Sequence, residues 1–224
     1  MTNYSLPNDF NFDPSNPDTR CACVLVLDTS GSMGGEPISQ LNAGLQQFLQ
    51  ELQSDPMALS RVELAIVTFG EVVEVIQSFA PVTEVNIPTL SVSGYTPLGA
   101  ALQQSIDLLQ FRKQLYRNAG IPYFRPWIFL ITDGAPNDGD EWKIAAQRIQ
   151  AEEARKGLSF FAVGVEGADM SILNQISSVR PAMNLKGYSF REMFHWLSVS
   201  LSSVSQSQPT DQVALKPVDS WGTV

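Results

Sequence analysis

The sequence predicts an α/β fold, a doubly wound and mostly parallel six-stranded sheet with one antiparallel edge strand and helices on both faces. Three observations predict it. Short runs that are apolar almost throughout, residues 21–27 (CACVLVL) and 127–132 (WIFLIT), read as central strands covered on both sides. Stretches with helical spacing of apolar residues separate such runs, which implies right-handed parallel crossovers. One further pair of strands is joined only by Gly70 and Glu71, a link too short for a crossover, so that pair must turn back antiparallel.

The elements follow in order. The first strand ends at Asp28. From 36 to 53 the apolar positions Ile38, Leu41, Leu45, Phe48, Leu49 and Leu52 recur at helical spacing, with Pro37 suited to the first turn. Residues 62–69 form the next buried strand and 72–79 its antiparallel neighbour. A loop over 80–95 leads to a helix marked by Leu98, Ala101, Leu102, Ile106 and Leu109. After the strand 127–132 come a helix over 141–156, a buried strand over 158–165 (LSFFAVGV) and a short helix over 169–176. Ser189 and Glu192 predict a capping box for a last helix through Met193, Phe194, Leu197 and Leu201. The expected organisation is a flexible N-terminal segment over 1–20, one domain over 21–204 and a loosely held tail over 205–224.

Composition narrows the function. With 224 residues and 44% apolar content, the chain can bury the core of a single domain. Its 23 acidic and 14 basic residues leave a net charge of -9, which repels a phosphate backbone and argues against nucleic acid as partner. No window reaches the roughly 18 apolar residues of a membrane span. The first twenty residues are polar and contain Pro7, Pro14 and Pro17, unlike a secretory signal, so a cytoplasmic location is expected. Cys21 and Cys23 alternate within one apolar run, where a bridge between them would be strained, and read as buried thiols. Two cysteines and one histidine argue against structural zinc.

Three polar clusters fall where ligands bind such sheets, at the carboxyl ends of strands. They are Asp28-Thr-Ser30-Gly-Ser32, Gly94-Tyr-Thr96-Pro-Leu-Gly99 and Thr132-Asp133-Gly134. Their side chains offer only oxygen donors, which suits a hard cation such as Mg²⁺ (or Mn²⁺ or Ca²⁺) and poorly suits zinc or copper. Alternation at Asp28, Ser30 and Ser32 lets one loop present three oxygens to a point, with Gly31 and Gly34 expected to permit the tight path.

At these residues the sequence resembles the von Willebrand factor A family, whose metal-ion-dependent adhesion site is Asp-x-Ser-x-Ser joined by a distant Thr and a distant Asp. Asp28, Ser30, Ser32, Thr96 and Asp133 all match, and the likeness runs from about Cys21 to Ser203. The resemblance implies that the Rossmann-like sheet is the vWA fold. It also implies that the serines and threonine touch the metal while the aspartates act largely through water or the serines. A protein partner then donates a carboxylate or phosphate to the ion. Shorter pieces, Gly35-Glu-Pro-Ile38, Asp55-Pro56, the 94–99 and 132–138 loops and Phe194-His-Trp-Leu-Ser-Val-Ser200, are similar to the bacterial TerY-like branch. That branch implies tellurite resistance and stress response, with a Ser/Thr kinase and a PP2C-type phosphatase as associated partners.

Blander readings compete at single residues. Asp138 and Asp140 fit caps of the following helix better than metal ligands, and Glu36 fits a first-turn acid serving the helix dipole. Tyr95 could shape the rim of the site, but a packed loop aromatic is the favoured reading. His195 lacks a nucleophile to serve. Trp127, Trp142, Trp196 and Trp221 read as core or helix-face residues. The rival function is a Mg²⁺-dependent phosphatase using Asp28 as nucleophile, which requires an acid/base Asp where Ser30 stands; no nucleotide-binding glycine loop is present either. A scaffold with an unused metal site is the third reading.

Overall fold

The computed structural model of the protein describes residues 15–208 and 213–224. Seven strands form one sheet in the order β3-β2-β1-β4-β5-β6-β7. In chain order they are β1 (Cys21–Asp28), β2 (Val62–Phe69), β3 (Val73–Pro81), β4 (Trp127–Thr132), β5 (Ser159–Gly164), β6 (Met183–Leu185) and β7 (Gly222–Thr223). The inner five are parallel, and β3 and β7 pair antiparallel at the two edges. The doubly wound sheet is thus the predicted one, with seven strands rather than six and a second antiparallel edge. The last two strands have three and two residues, too few to leave a periodic signal.

Period-two alternation splits β1 between two cores. Cys21, Cys23, Leu25 and Leu27 face α1 (Glu36–Ser54), α2 (Pro56–Arg61) and α6 (Phe190–Ser205). Ala22, Val24 and Val26 face α3 (Leu98–Asn118), α4 (Glu141–Ala154) and α5 (Met170–Ile176). Helix α1 turns Leu41, Leu45, Phe48, Leu49 and Leu52 inward, the i, i+4, i+7 stripe of an amphipathic helix. Gly44 admits α6 closely, because a Cβ there would lie 2.6 Å from the Phe194 ring. Helix α2 carries too short a pattern to read, yet Asp55 caps it by accepting the amides of Met57 and Ala58.

Three expectations change. Ser189 makes no side-chain cap, so the Ser189–Glu192 capping box is absent; its ψ of 45° departs from the extended conformation a capping hydroxyl needs. The segment 213–224 is docked rather than loosely held. Trp221 has no exposed surface and lies 5.4 Å from the Trp196 ring, and this burial brings Gly222 and Thr223 beside Leu185 and Asn184. At the other terminus, residues 1–14 of the expected flexible segment lie outside the described residues, while Arg20 is 2% exposed and its Nε sits 3.2 Å from Glu63. Among the described residues no helix is long and apolar enough to cross a membrane.

The chain order reverses between β1 and β4, so a crevice opens beyond Asp28 and Thr132.

Candidate functional site

The ends of β1 and β4 deliver the first groups to that crevice. Asp28 closes β1 fully buried, and its Oδ1 accepts the Ser30 amide at 2.8 Å. Its Oδ2 accepts the hydroxyl of Thr132, the last residue of β4. A 3-10 turn over Gly31–Met33 then carries Ser32 to the surface. The Ser30 and Ser32 hydroxyls are 3.1 Å apart, and Ser32 donates to Asp133 Oδ1 at 2.8 Å.

Thr96 arrives from a third segment. The Gly31 amide donates to the Gly94 carbonyl at 3.3 Å and the Asn137 amide to the Thr96 carbonyl at 3.2 Å, tying this loop to the other two. A Cβ added to Gly134 would lie 3.1 Å from Thr96 Oγ1 and 3.6 Å from Asp28 Oδ2, so both oxygens face the same small space. Gly94 adopts φ 64°, and a Cβ there would press to 2.4 Å from the Glu71 backbone. The structure therefore brings Asp28, Ser30, Ser32, Thr96 and Asp133 into one crevice, buried except at Ser32.

Both carboxyls titrate above the usual carboxylate range. For Asp28, burial is the main cause, opposed by hydrogen bonds from Ser30 and Thr132 and reinforced by the charge of Asp133. For Asp133, burial again dominates over the bond from Ser32. Among the described residues neither carboxylate faces a Lys, Arg or His. Nor does any group of three or more His, Cys, Asp or Glu side chains there suit a metal, so a cation in this protein would depend on hydroxyl oxygens.

Several neighbours differ from their sequence reading. The left-handed glycine of the first loop is Gly35, at φ 84°, not Gly31 or Gly34. Tyr95 is 71% exposed beside Thr96, a rim aromatic and not a packed one. Asp138 caps α3 instead of the helix that follows it, with Oδ2 accepting the Ala100 amide at 3.1 Å. Asp140 stands at the N-cap position just before α4, but its side chain makes no cap and instead pairs with Lys143 at 2.6 Å. Glu36 is an exposed first-turn acid of α1. His195 lies on α6, 3.1 Å from Glu51, and the four tryptophans are all buried. Thr132 had no assigned role from sequence; its place at the strand end beside Asp133 was the available signal.

Comparison with known proteins places the fold in a family. The model of the von Willebrand factor type A domain matches residues 23–195. Protein NorD of Brucella suis is 35% identical over 95 residues, which span 40% of this chain and 14% of that protein. Among solved structures, the pilus adhesin SpaC of Lactobacillus rhamnosus GG superposes with a TM-score of 0.66 at 13% identity, over 83% of this chain and 30% of that one. The vWF domain of the type V pili tip protein Mfa5 of Porphyromonas gingivalis gives 0.58 at 10% identity, covering 82% of this chain and 97% of that one. A manganese-loaded Plasmodium vivax TRAP protein gives 0.54 at 17% identity, over 80% and 73% of the two chains. With the family model running from within β1 through β6, over more than half of the chain, the chain belongs to the von Willebrand factor type A domain family.

Proposed function

We propose that the crevice holds one divalent cation, Mg²⁺ or an ion of similar hardness, and that the protein uses it to bind a protein partner. Charge balance carries the reading. Two buried carboxylates share the crevice with three hydroxyls and face no cationic side chain among the described residues. Burying such charge without compensation is costly, and an oxygen-only donor set suits a hard ion. Ser30, Ser32 and Thr96 would hold the ion, with Asp28 orienting the Ser30 backbone and Asp133 the Ser32 hydroxyl. When bound, the ion supplies an electrophilic point for a partner's carboxylate or phosphate. Tyr95 offers that partner an exposed aromatic contact next to it. The manganese in the TRAP protein and the adhesin name of SpaC support a binding module.

An enzyme is disfavoured, because Asp28 is fully buried and Ser30 stands where a phosphatase acid/base Asp belongs. Within the family, the pieces quoted above support a TerY-like assignment, and with it a cytoplasmic stress role beside kinase and phosphatase partners.

The test is isothermal titration with Mn²⁺ and Mg²⁺, followed by lysate capture in Mg²⁺ and in EDTA. One cation site that disappears in Ser30→Ala/Ser32→Ala, and capture that EDTA abolishes, are expected. Cation-independent capture of the same partner would point to a scaffold, and p-nitrophenyl phosphate turnover lost in Asp28→Asn to an enzyme.

A further inference from the structure

We propose that the opposite pole of the sheet binds a small organic polyphosphate, in a cationic cleft between the C-terminal ends of α3 and α4. The cleft encloses about 700 Å³ and is lined by Lys113, Arg117, Arg125, Arg155 and Lys156 together with Tyr123. A second recess of about 380 Å³ adjoins it and shares Arg125 and Lys156. Trp127 and Phe161 line this recess, and the Arg180 guanidinium stands 4.8 Å from the Phe161 ring centroid.

Six of the chain's 14 basic side chains thus meet at one pole of a protein whose net charge is -9. Among the described residues only two carboxylates answer them. Glu152 pairs with Lys113 at 3.5 Å and with Arg155, and Glu153 with Arg180 at 3.3 Å. The two helix ends supply a further compensation of about half a negative charge each, which leaves roughly three positive charges unbalanced. Arg117, Arg125 and Lys156 are exposed and have no acidic partner among the described residues. After burial, which acts first, Arg117 and Arg155 help hold the Lys113 amine below its usual value, and Arg125 does the same to Arg180. Lys156 itself adopts φ 57°, the one positive-φ residue other than glycine among the described residues. That conformation closes α4 in a Schellman motif, with the Lys156 amide donating to the Glu153 carbonyl at 2.9 Å and the Gly157 amide to the Glu152 carbonyl at 2.7 Å, and it fixes Lys156 at the mouth of the cleft.

The occupant follows from shape and donor type. Guanidinium forks match phosphate oxygens in paired hydrogen bonds. The two volumes fall within the range of about 300 to 1,000 Å³ typical of small-molecule sites, and a concave cleft suits a small ligand better than a folded acidic surface. The aromatic-lined recess gives room for an organic body beside the phosphates. The site is independent of the cation crevice, which lies at the other ends of the same strands.

The test is calorimetric titration of the full chain with ATP and with tripolyphosphate, in EDTA so that no cation is bound. ATP is expected to bind, several-fold more tightly than tripolyphosphate, and to weaken at least tenfold in Arg125→Gln/Lys156→Gln and in Arg117→Gln. Asp28→Ala should bind it unchanged. Absence of ATP binding at millimolar concentration, full binding by both variants, or displacement by poly-glutamate as effective as by tripolyphosphate overturns the proposal. Equal affinity for ATP and tripolyphosphate also overturns it, because the organic body would then contribute nothing to binding. Circular dichroism of each variant confirms that these surface changes leave the fold intact.

Discussion

The Ser32 hydroxyl donates to Asp133 Oδ1 at 2.8 Å across 101 residues of chain, and this bond closes the crevice between the loops that follow β1 and β4. Because the hydroxyl spends its proton on the carboxylate, its lone pairs face the crevice. Saturating Mg²⁺ or Mn²⁺ should therefore stabilise the protein. At a hundred times the dissociation constant the gain is about 2.7 kcal/mol, or a Tm rise of roughly 5 to 10 °C for a chain of this size. Thermal melts should show the rise in the native protein and none in Asp133→Ala. An equal rise in both would remove Asp133 from the site.

Glu63 on β2 is 2% exposed and binds two guanidinium groups, Arg112 at 2.7 Å and Arg20 at 3.2 Å. It also accepts the Tyr116 phenol, whose pKa burial pushes far above its usual value, so the phenol stays a donor. Glu63→Gln leaves two buried cations without their counter-charge, and removing one partner of a buried ion pair costs about 3–5 kcal/mol. Urea unfolding should read that loss; one below about 1 kcal/mol would show the cluster to be energetically idle.

Glu51 links α1 to α6. Burial raises its pKa, but bonds from the Ser198 hydroxyl, Gln47 and His195 outweigh that and hold it below the usual 4.5. A depressed folded value contributes stability above the unfolded pKa and loses it as pH falls through the folded one. Glu51→Gln should thus lower stability at pH 7 and flatten the decline below about pH 4.5, measured by melts from pH 7 to pH 3. A parallel decline in both proteins would contradict this.

Cys21 and Cys23 are free and buried on β1. Burial lifts the Cys21 thiol to about 12 and Cys23 in the same direction. Thiolate is the reactive form, so Ellman's reagent at pH 8 should modify neither residue in the native protein and both in denaturant. Rapid native modification would place the first strand nearer solvent than the fold allows.

Trp221 anchors the C-terminal segment with its indole against Trp196. Trp221→Ala should cost about 3–5 kcal/mol, the usual loss for a buried tryptophan. A loosely held tail would lose almost nothing.

The sequence by itself determined the sheet class, the strands β1 and β4, and the oxygen-rich loops that follow them. Each is written locally: apolar runs covered on both faces, helical spacing between them, and Asp, Ser and Thr clustered at strand ends. Only the tertiary structure decided that Thr132 braces Asp28, that Asp138 caps α3 from 38 residues away, that Tyr95 is exposed, and that Trp221 recruits a seventh strand. Six basic residues dispersed from 113 to 180 likewise carry no pattern along the chain and become a cleft when three segments converge. Periodicity reports which face of an element is buried, but a cap, an exposed rim or a charge cluster depends on which distant segment packs beside it, and that is settled by the burial of the whole core.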